Sequence, residues 1–202
     1  MTLLDSPVRD SGFAAARKAM VDSQLRTSGV TDGAVVARMG EVARENCVPE
    51  AHKSVAYMDR AIPLGDGQFL ASPLAQGMLL QEAAPKANET AILVDGGSGY
   101  MAELLRPMVG SLKVLTPQEA VEAKRGGKKA DLILIDGAVE HIPDVLVKRL
   151  TDDGRIVTGL VANGLTRIAV GRKVGKEAAL MTTFDVGMPR LTEFDKPRAW
   201  SF

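Results

Sequence analysis

The sequence predicts an α/β fold with a mostly parallel sheet and antiparallel C-terminal strands, and three observations carry that expectation. Between residues 91 and 150, short apolar runs alternate with segments of helical periodicity, the rhythm of βα units around a parallel sheet. Beyond residue 155, three strand-like runs follow one another with glycine-bearing turns and no long helix between them. Such a tail suits antiparallel strands closing one edge of the sheet. Finally, the first strand of the series, AILV at 91 to 94, runs directly into Asp95-Gly96-Gly97-Ser98-Gly99-Tyr100. That is the strand-to-helix position at which open α/β sheets hold ligands.

The elements follow in order. Residues 11 to 29 and 32 to 46 read as two helices from the spacing of Phe13, Ala16, Met20, Val21 and Leu25, then of Val35, Val36, Met39 and Val42. Thr31 is placed to cap the second. Proline and glycine interrupt the pattern from 48 to 68, so irregular chain with short strands is expected there. Ser72-Pro73 is a cap followed by a first-turn proline, and a helix should run from 73 to about 84. The βα series then gives AILV, a helix from 99, LKVL (112 to 115), a helix from 117, DLILI (131 to 135) and a helix from 143. AILV should lie at the centre of the sheet, flanked by LKVL and DLILI. The tail supplies RIVTGLV (155 to 161), TRIAVGRK (166 to 173) and AALMTTFDV (178 to 186). A single domain over 1–202 is expected, with 1–70 as an N-terminal embellishment and 71–202 as the core.

Bulk composition narrows the function classes. The 202 residues are 46% hydrophobic, enough for one full core. Twenty-five basic side chains balance 25 acidic ones, so no net charge steers the chain toward nucleic acid or an anionic membrane. Aromatic residues make up only 4%, which weakens a role in stacking single-stranded nucleic acid. One cysteine and two histidines rule out an internal disulfide and disfavour Cys/His zinc sites; a cytoplasmic address is expected. No run reaches the ~18 apolar residues of a membrane span. Nothing in the sequence specifies an oligomeric state.

The candidate cofactor cradle is Asp95, Gly96, Gly97, Ser98, Gly99 and Tyr100, where glycines let backbone approach a ligand and helix N–H groups point outward. Taken alone, three glycines equally make a tight turn. A second charged group, Asp136, Glu140 and His141, follows DLILI. Asp136, at a strand's carboxyl end, reads either as a ligand for a hard cation such as magnesium or as a cap where a helix begins; Glu140 and His141 read as solvated surface. No metal site is assigned.

The blocks MVDSQLRTSGVTD (20 to 32), VARENCVPE (42 to 50), AYMDRAIPLGDGQ (56 to 68), GGSGYMAELL (96 to 105) and ADLILIDGAVEHIPDVLVKRLTDDGRIV (130 to 157) resemble, in order, the signature blocks of protein-L-isoaspartate O-methyltransferases. The resemblance implies a Rossmann-like, seven-strand, S-adenosylmethionine-dependent methyltransferase fold. It further implies methylation of isoaspartyl carboxylates in damaged proteins, a repair reaction, with S-adenosylmethionine as cofactor and an isoaspartyl protein or peptide as partner.

The chain departs from that pattern in four places. Leu93 stands where the family carries an acidic residue, and Asp95 where it carries its first glycine. Leu115, with Thr116 after it, occupies the position of the ribose-binding carboxylate, and Glu119 reads instead as part of a Thr116-Pro117-Gln118-Glu119 capping box. KRGGKKA (124 to 130) leads straight into DLILI, so the family's third strand and adenine-side loop are expected to be missing. In Gly67-Gln68-Phe69-Leu70-Ala71-Ser72-Pro73, alanine takes the reactive serine's place and Ser72 comes one residue later. Ser72 and Asp136 are the candidate catalytic residues. Two readings stay open: a carboxyl methyltransferase, or a catalytically degenerate paralogue that keeps the fold for binding.

Overall fold

A computed structural model describes residues 6–122, 126–175 and 177–196. Its main sheet has six strands in the order β4-β3-β5-β6-β7-β8: β3 (Thr90–Val94), β4 (Ser111–Leu115), β5 (Ala130–Val139), β6 (Leu150–Ala162), β7 (Leu165–Val174) and β8 (Glu177–Asp185). The first four in that order are parallel, and β7 and β8 add on antiparallel. A separate hairpin joins β1 (Ile62–Gly65) to β2 (Gln68–Leu70).

Side chains alternate across the sheet, as period-2 geometry requires. Leu93, Leu132, Leu134 and Val157 face one apolar cluster, and Ile92, Ile133, Ile135 and Ile156 face another. Against the first pack α1 (Ser6–Met20), α2 (Gly33–Glu41), α3 (Pro73–Ala83) and α4 (Tyr100–Leu105); the short helices α5 (Pro117–Val121) and α6 (Asp144–Val147) cover the second. The first cluster runs without a break from Met20 in α1 to Ile168 in β7.

Local signals explain several boundaries. Ser72 Oγ accepts from Ala75 N and Pro73 opens α3, an arrangement worth about 1 kcal/mol. Gly77 brings α3 close to α2: an added Cβ would lie 3.0 Å from Val30 and 3.2 Å from Met39 Sδ.

Four expectations need correction. The second helix stops at Glu41, and a separate 3-10 turn covers Arg44–Cys47. Its cap is Asp32, whose carboxylate accepts from Ala34 and Val35 N, while the N–H groups of Thr31 and Asp32 go to Gln81 Oε1. The first helix continues past Met20 through a π turn (Val21–Leu25) and a 3-10 turn (Arg26–Ser28). AILV is indeed flanked by LKVL and DLILI, but it lies one strand from the edge, because β4 is terminal and two antiparallel strands extend the other side. Among the described residues no strand falls between α5 and β5; Ala123–Arg125 lie outside them.

Candidate functional site

The glycine turn leaves the carboxyl end of β3, where Asp95 N still donates to Leu115 O at 2.9 Å. Positive φ angles at Gly97 (113°) and Gly99 (72°) then curl the chain, conformations that favour residues without a Cβ. The curl returns two amides onto Asp95: Gly97 N donates to Oδ1 at 2.8 Å and Gly99 N to Oδ2 at 2.9 Å. Ser98 Oγ accepts from Tyr100 N at 3.2 Å. Two of the N–H groups that such a turn offers to an external anion, those of Gly97 and Gly99, are thus held by the chain's own carboxylate. Gly96 packs against β5, where a Cβ would fall 2.5 Å from the Asp136 carbonyl oxygen, and Gln68 from β2 lies over Gly97.

Behind the turn is a buried polar cluster. Asp136 lies inside β5 rather than at its end, because the strand continues to Val139; it caps no helix. Its Oδ2 accepts from Gln76 Nε2 at 2.8 Å, and its Oδ1 has no partner. Burial, reinforced by the nearby Asp95 charge, pushes its carboxyl up to about 7 against the opposing pull of Gln76 and Arg44. Near neutral pH it is therefore a mixture of acid and carboxylate. Arg44 is fully buried. Its Nε donates to Ala56 O at 2.7 Å and its guanidinium nitrogens to Gln76 Oε1 at 2.5 Å and to Ala71 O, while its cation lies 4.9 Å from the Tyr100 ring centroid. Burial raises the Tyr100 hydroxyl to about 12. Sequence reasoning missed Arg44, since a single arginine after an apolar pair ordinarily reads as surface.

Ser72 faces a different space, a cleft of about 770 Å³ lined by Asp59, Arg60, Phe69, Leu74, Met188 and Arg190 among others. One wall is the segment following β8, which crosses the extension of β5: Ala138 N donates to Pro189 O and Leu191 N to Ala138 O. Leu191 also closes over Gly137, where a Cβ would lie 2.5 Å away. Glu140 and His141 secure that segment instead of being free surface. Glu140 pairs with Arg190 at 2.6 Å and accepts from Lys196 N at 2.8 Å, and His141 Nδ1 donates to Phe194 O at 2.8 Å.

On the far side of the turn, Leu115 is buried at the end of β4. Thr116 and Glu119 form the expected reciprocal capping box, with bonds of 3.2 and 2.8 Å. Of the sequence-derived candidates, the structure thus gathers Asp95 to Tyr100 and Asp136 around one point at the carboxyl edge. Ser72 is placed on the adjoining cleft, and Glu119 in a helix cap. Among the described residues no three His, Cys, Asp or Glu side chains are grouped to hold a metal ion, and no helix is long and apolar enough to cross a membrane.

Comparison with known proteins gives a consistent result. The family model for protein-L-isoaspartate(D-aspartate) O-methyltransferase matches residues 15–122, more than half of the chain. A protein-L-isoaspartate O-methyltransferase 2 of Anaeromyxobacter sp. (strain Fw109-5) is 30% identical over 165 residues, covering 70% of this chain and 68% of its own. The corresponding enzyme of Methylorubrum populi is 30% identical over 166 residues, covering 71% and 78%. Among solved structures, a Plasmodium falciparum member in complex with S-adenosyl-L-homocysteine superposes with a TM-score of 0.65 at 16% identity over 88% of this chain and 98% of its own. A second protein-L-isoaspartate O-methyltransferase gives 0.70 at 13% identity over 87% and 65%. These two structures share the Rossmann-like methyltransferase fold with this chain.

Proposed function

The chain belongs to the protein-L-isoaspartate O-methyltransferase family, and on that premise we propose that it keeps the family's peptide-facing cleft while using S-adenosylmethionine weakly or not at all. Asp95 is the observation that carries this reading. The family resemblance assigns the glycine turn to the methionine part of the cofactor. Here its Gly97 and Gly99 amides already bond to an internal carboxylate. A ligand carboxylate arriving there would meet a like charge where the two amides are already engaged. The ribose side offers the aliphatic Leu115 and a Glu119 engaged in a cap. The donor set therefore does not fit the cofactor, and no methyl-transfer step is derived from it.

The cleft beside Ser72 has the chemistry for an acidic peptide segment. Arg60 supplies the cation that an isoaspartyl residue's free α-carboxylate would meet, and Phe69 and Met188 supply apolar walls; Arg190 is already paired with Glu140 and Asp195, and Asp59 and Asp185 also line the cleft. Ser72 Oγ accepts from Ala75 N, which leaves its O–H free to donate to such a carboxylate. Setting the protein in the cytoplasm matches both that substrate class and a chain with a single cysteine.

A second reading, a working carboxyl methyltransferase, is favoured by the ordered family blocks and by the position of Asp95, which can accept from the cofactor's ammonium group. Titration calorimetry with S-adenosylmethionine, followed by transfer of labelled methyl to an isoaspartyl peptide against its aspartyl control, separates the two. Our reading expects binding to the isoaspartyl peptide without micromolar cofactor affinity and with trace transfer at most. Micromolar affinity with robust, isomer-selective transfer would establish the second reading.

A further inference from the structure

At the amino edge of the sheet, opposite the glycine turn, a buried cation lacks an acceptor. Arg149 sits between α6 and β6, 8% exposed, and its Nε has no hydrogen-bond partner. A buried guanidinium N–H left unpaired costs free energy that folded proteins normally avoid. This one lines a hollow of about 340 Å³ together with Gly126, Gly127, Lys129, Val145 and Lys148. Among the described residues the lining holds three cationic side chains and no carboxylate.

The backbone there is shaped for close approach. Gly126 and Gly127 have φ of 103° and 114°, and a Cβ on Gly127 would stand 3.8 Å from Arg149 Nε. The turn therefore passes directly over the guanidinium without a side chain intervening. Lys129 Nζ donates once, to Leu150 O at 3.1 Å, and keeps further donors. Lys148 is held only by an exposed contact to Asp144 at 3.4 Å, a pair of little strength. Main-chain pairing fixes the frame: Ala130 N donates to Arg149 O at 2.7 Å, and Ala130 lies opposite Leu150 in the β5–β6 ladder.

We propose that this hollow is a binding site for a phosphorylated small molecule, with Arg149, Lys129 and Lys148 receiving its phosphoryl group. Three cations match a dianionic tetrahedral oxyanion better than a single carboxylate, and a guanidinium edge is suited to two phosphate oxygens. The volume exceeds that of a bare phosphoryl group and leaves room for an organic body. Because the site lies on the opposite edge from the glycine turn, it stands independently of the function proposed above.

The test is titration of the full chain with inorganic phosphate and with pyrophosphate, read by calorimetry and by the shift in melting temperature. Saturable binding is expected, tighter for pyrophosphate and weakened about tenfold or more by Arg149→Met. Lys129→Ala should weaken it severalfold, and Arg106→Ala, an exposed cation elsewhere, should leave it unchanged. Should Arg149→Met fail to fold, Lys129→Ala and Lys148→Ala decide. No binding at millimolar pyrophosphate, binding that those substitutions leave intact, or stronger competition from an RNA oligonucleotide than from pyrophosphate would each overturn the assignment.

Discussion

Arg44 and Arg149 are both buried, yet they are buried in opposite ways. Arg44 is surrounded by acceptors from distant parts of the chain, the carbonyls of Ala56 and Ala71 and the Gln76 side chain, with the Tyr100 ring beneath it. Arg149 has Lys129 and Lys148 for company and an Nε without a partner. A cation whose desolvation is offset by internal acceptors is part of the scaffold. One left unsatisfied awaits something from outside. Each edge of the sheet thus holds a buried polar atom without a partner, Asp136 Oδ1 at the carboxyl edge and Arg149 Nε at the amino edge, but only at the amino edge is the unpaired group a cation with further cations around it.

The comparison breaks most directly at Arg44. Arg44→Met strips three acceptors of their donor in the interior and should cost roughly 3–5 kcal/mol, measured by urea denaturation. Arg149→Met in phosphate-free buffer should instead be neutral or stabilising, because an unpaired cation is replaced by an apolar side chain. Equal losses from the two substitutions would erase the distinction.

Asp136 sharpens it next. Its carboxyl sits at about 7 when folded against an ordinary 3.8, so folding favours its protonated form. That contribution is complete below the unfolded value and is lost as pH rises through about 7. Stability should fall by a few kcal/mol between pH 4 and pH 8 on this account, and Asp136→Asn should flatten the profile and be the more stable protein at pH 8. A wild-type profile unchanged by that substitution would place the titration elsewhere.

The smallest effects lie at the turns. Asp95→Ala removes the acceptor for Gly97 and Gly99 and should cost about 1 kcal/mol, while returning two amides to solvent. If the carboxylate is what excludes the cofactor, the same variant binds S-adenosylmethionine measurably better than the wild type in calorimetry. Thr116→Ala, which opens the capping box of α5, should likewise cost about 1 kcal/mol by thermal unfolding and leave peptide binding untouched.

What the sequence by itself determined is whatever depends on near neighbours along the chain. Short continuous apolar runs placed β3 and β5, Ser72-Pro73 and Thr116 with Glu119 marked two helix starts, and the ordered blocks identified the family. Each of these signals spans a few residues or a fixed order of them. The end of α2 at Glu41 and the cap at Asp32 were misplaced by a few residues, because adjacent polar side chains compete for the same amides and Gln81, fifty residues on, takes those of Thr31 and Asp32. Only the tertiary structure decided that Arg44 is buried, that Glu140 and His141 fasten the segment carrying Arg190 and Phe194, that Asp136 lies within its strand beside the Asp95 charge, and that Arg149 faces a hollow. The physical reason is common to all four: a charged side chain's burial and partners are set by groups brought together from far apart in sequence, and no local pattern records which acceptors will be there.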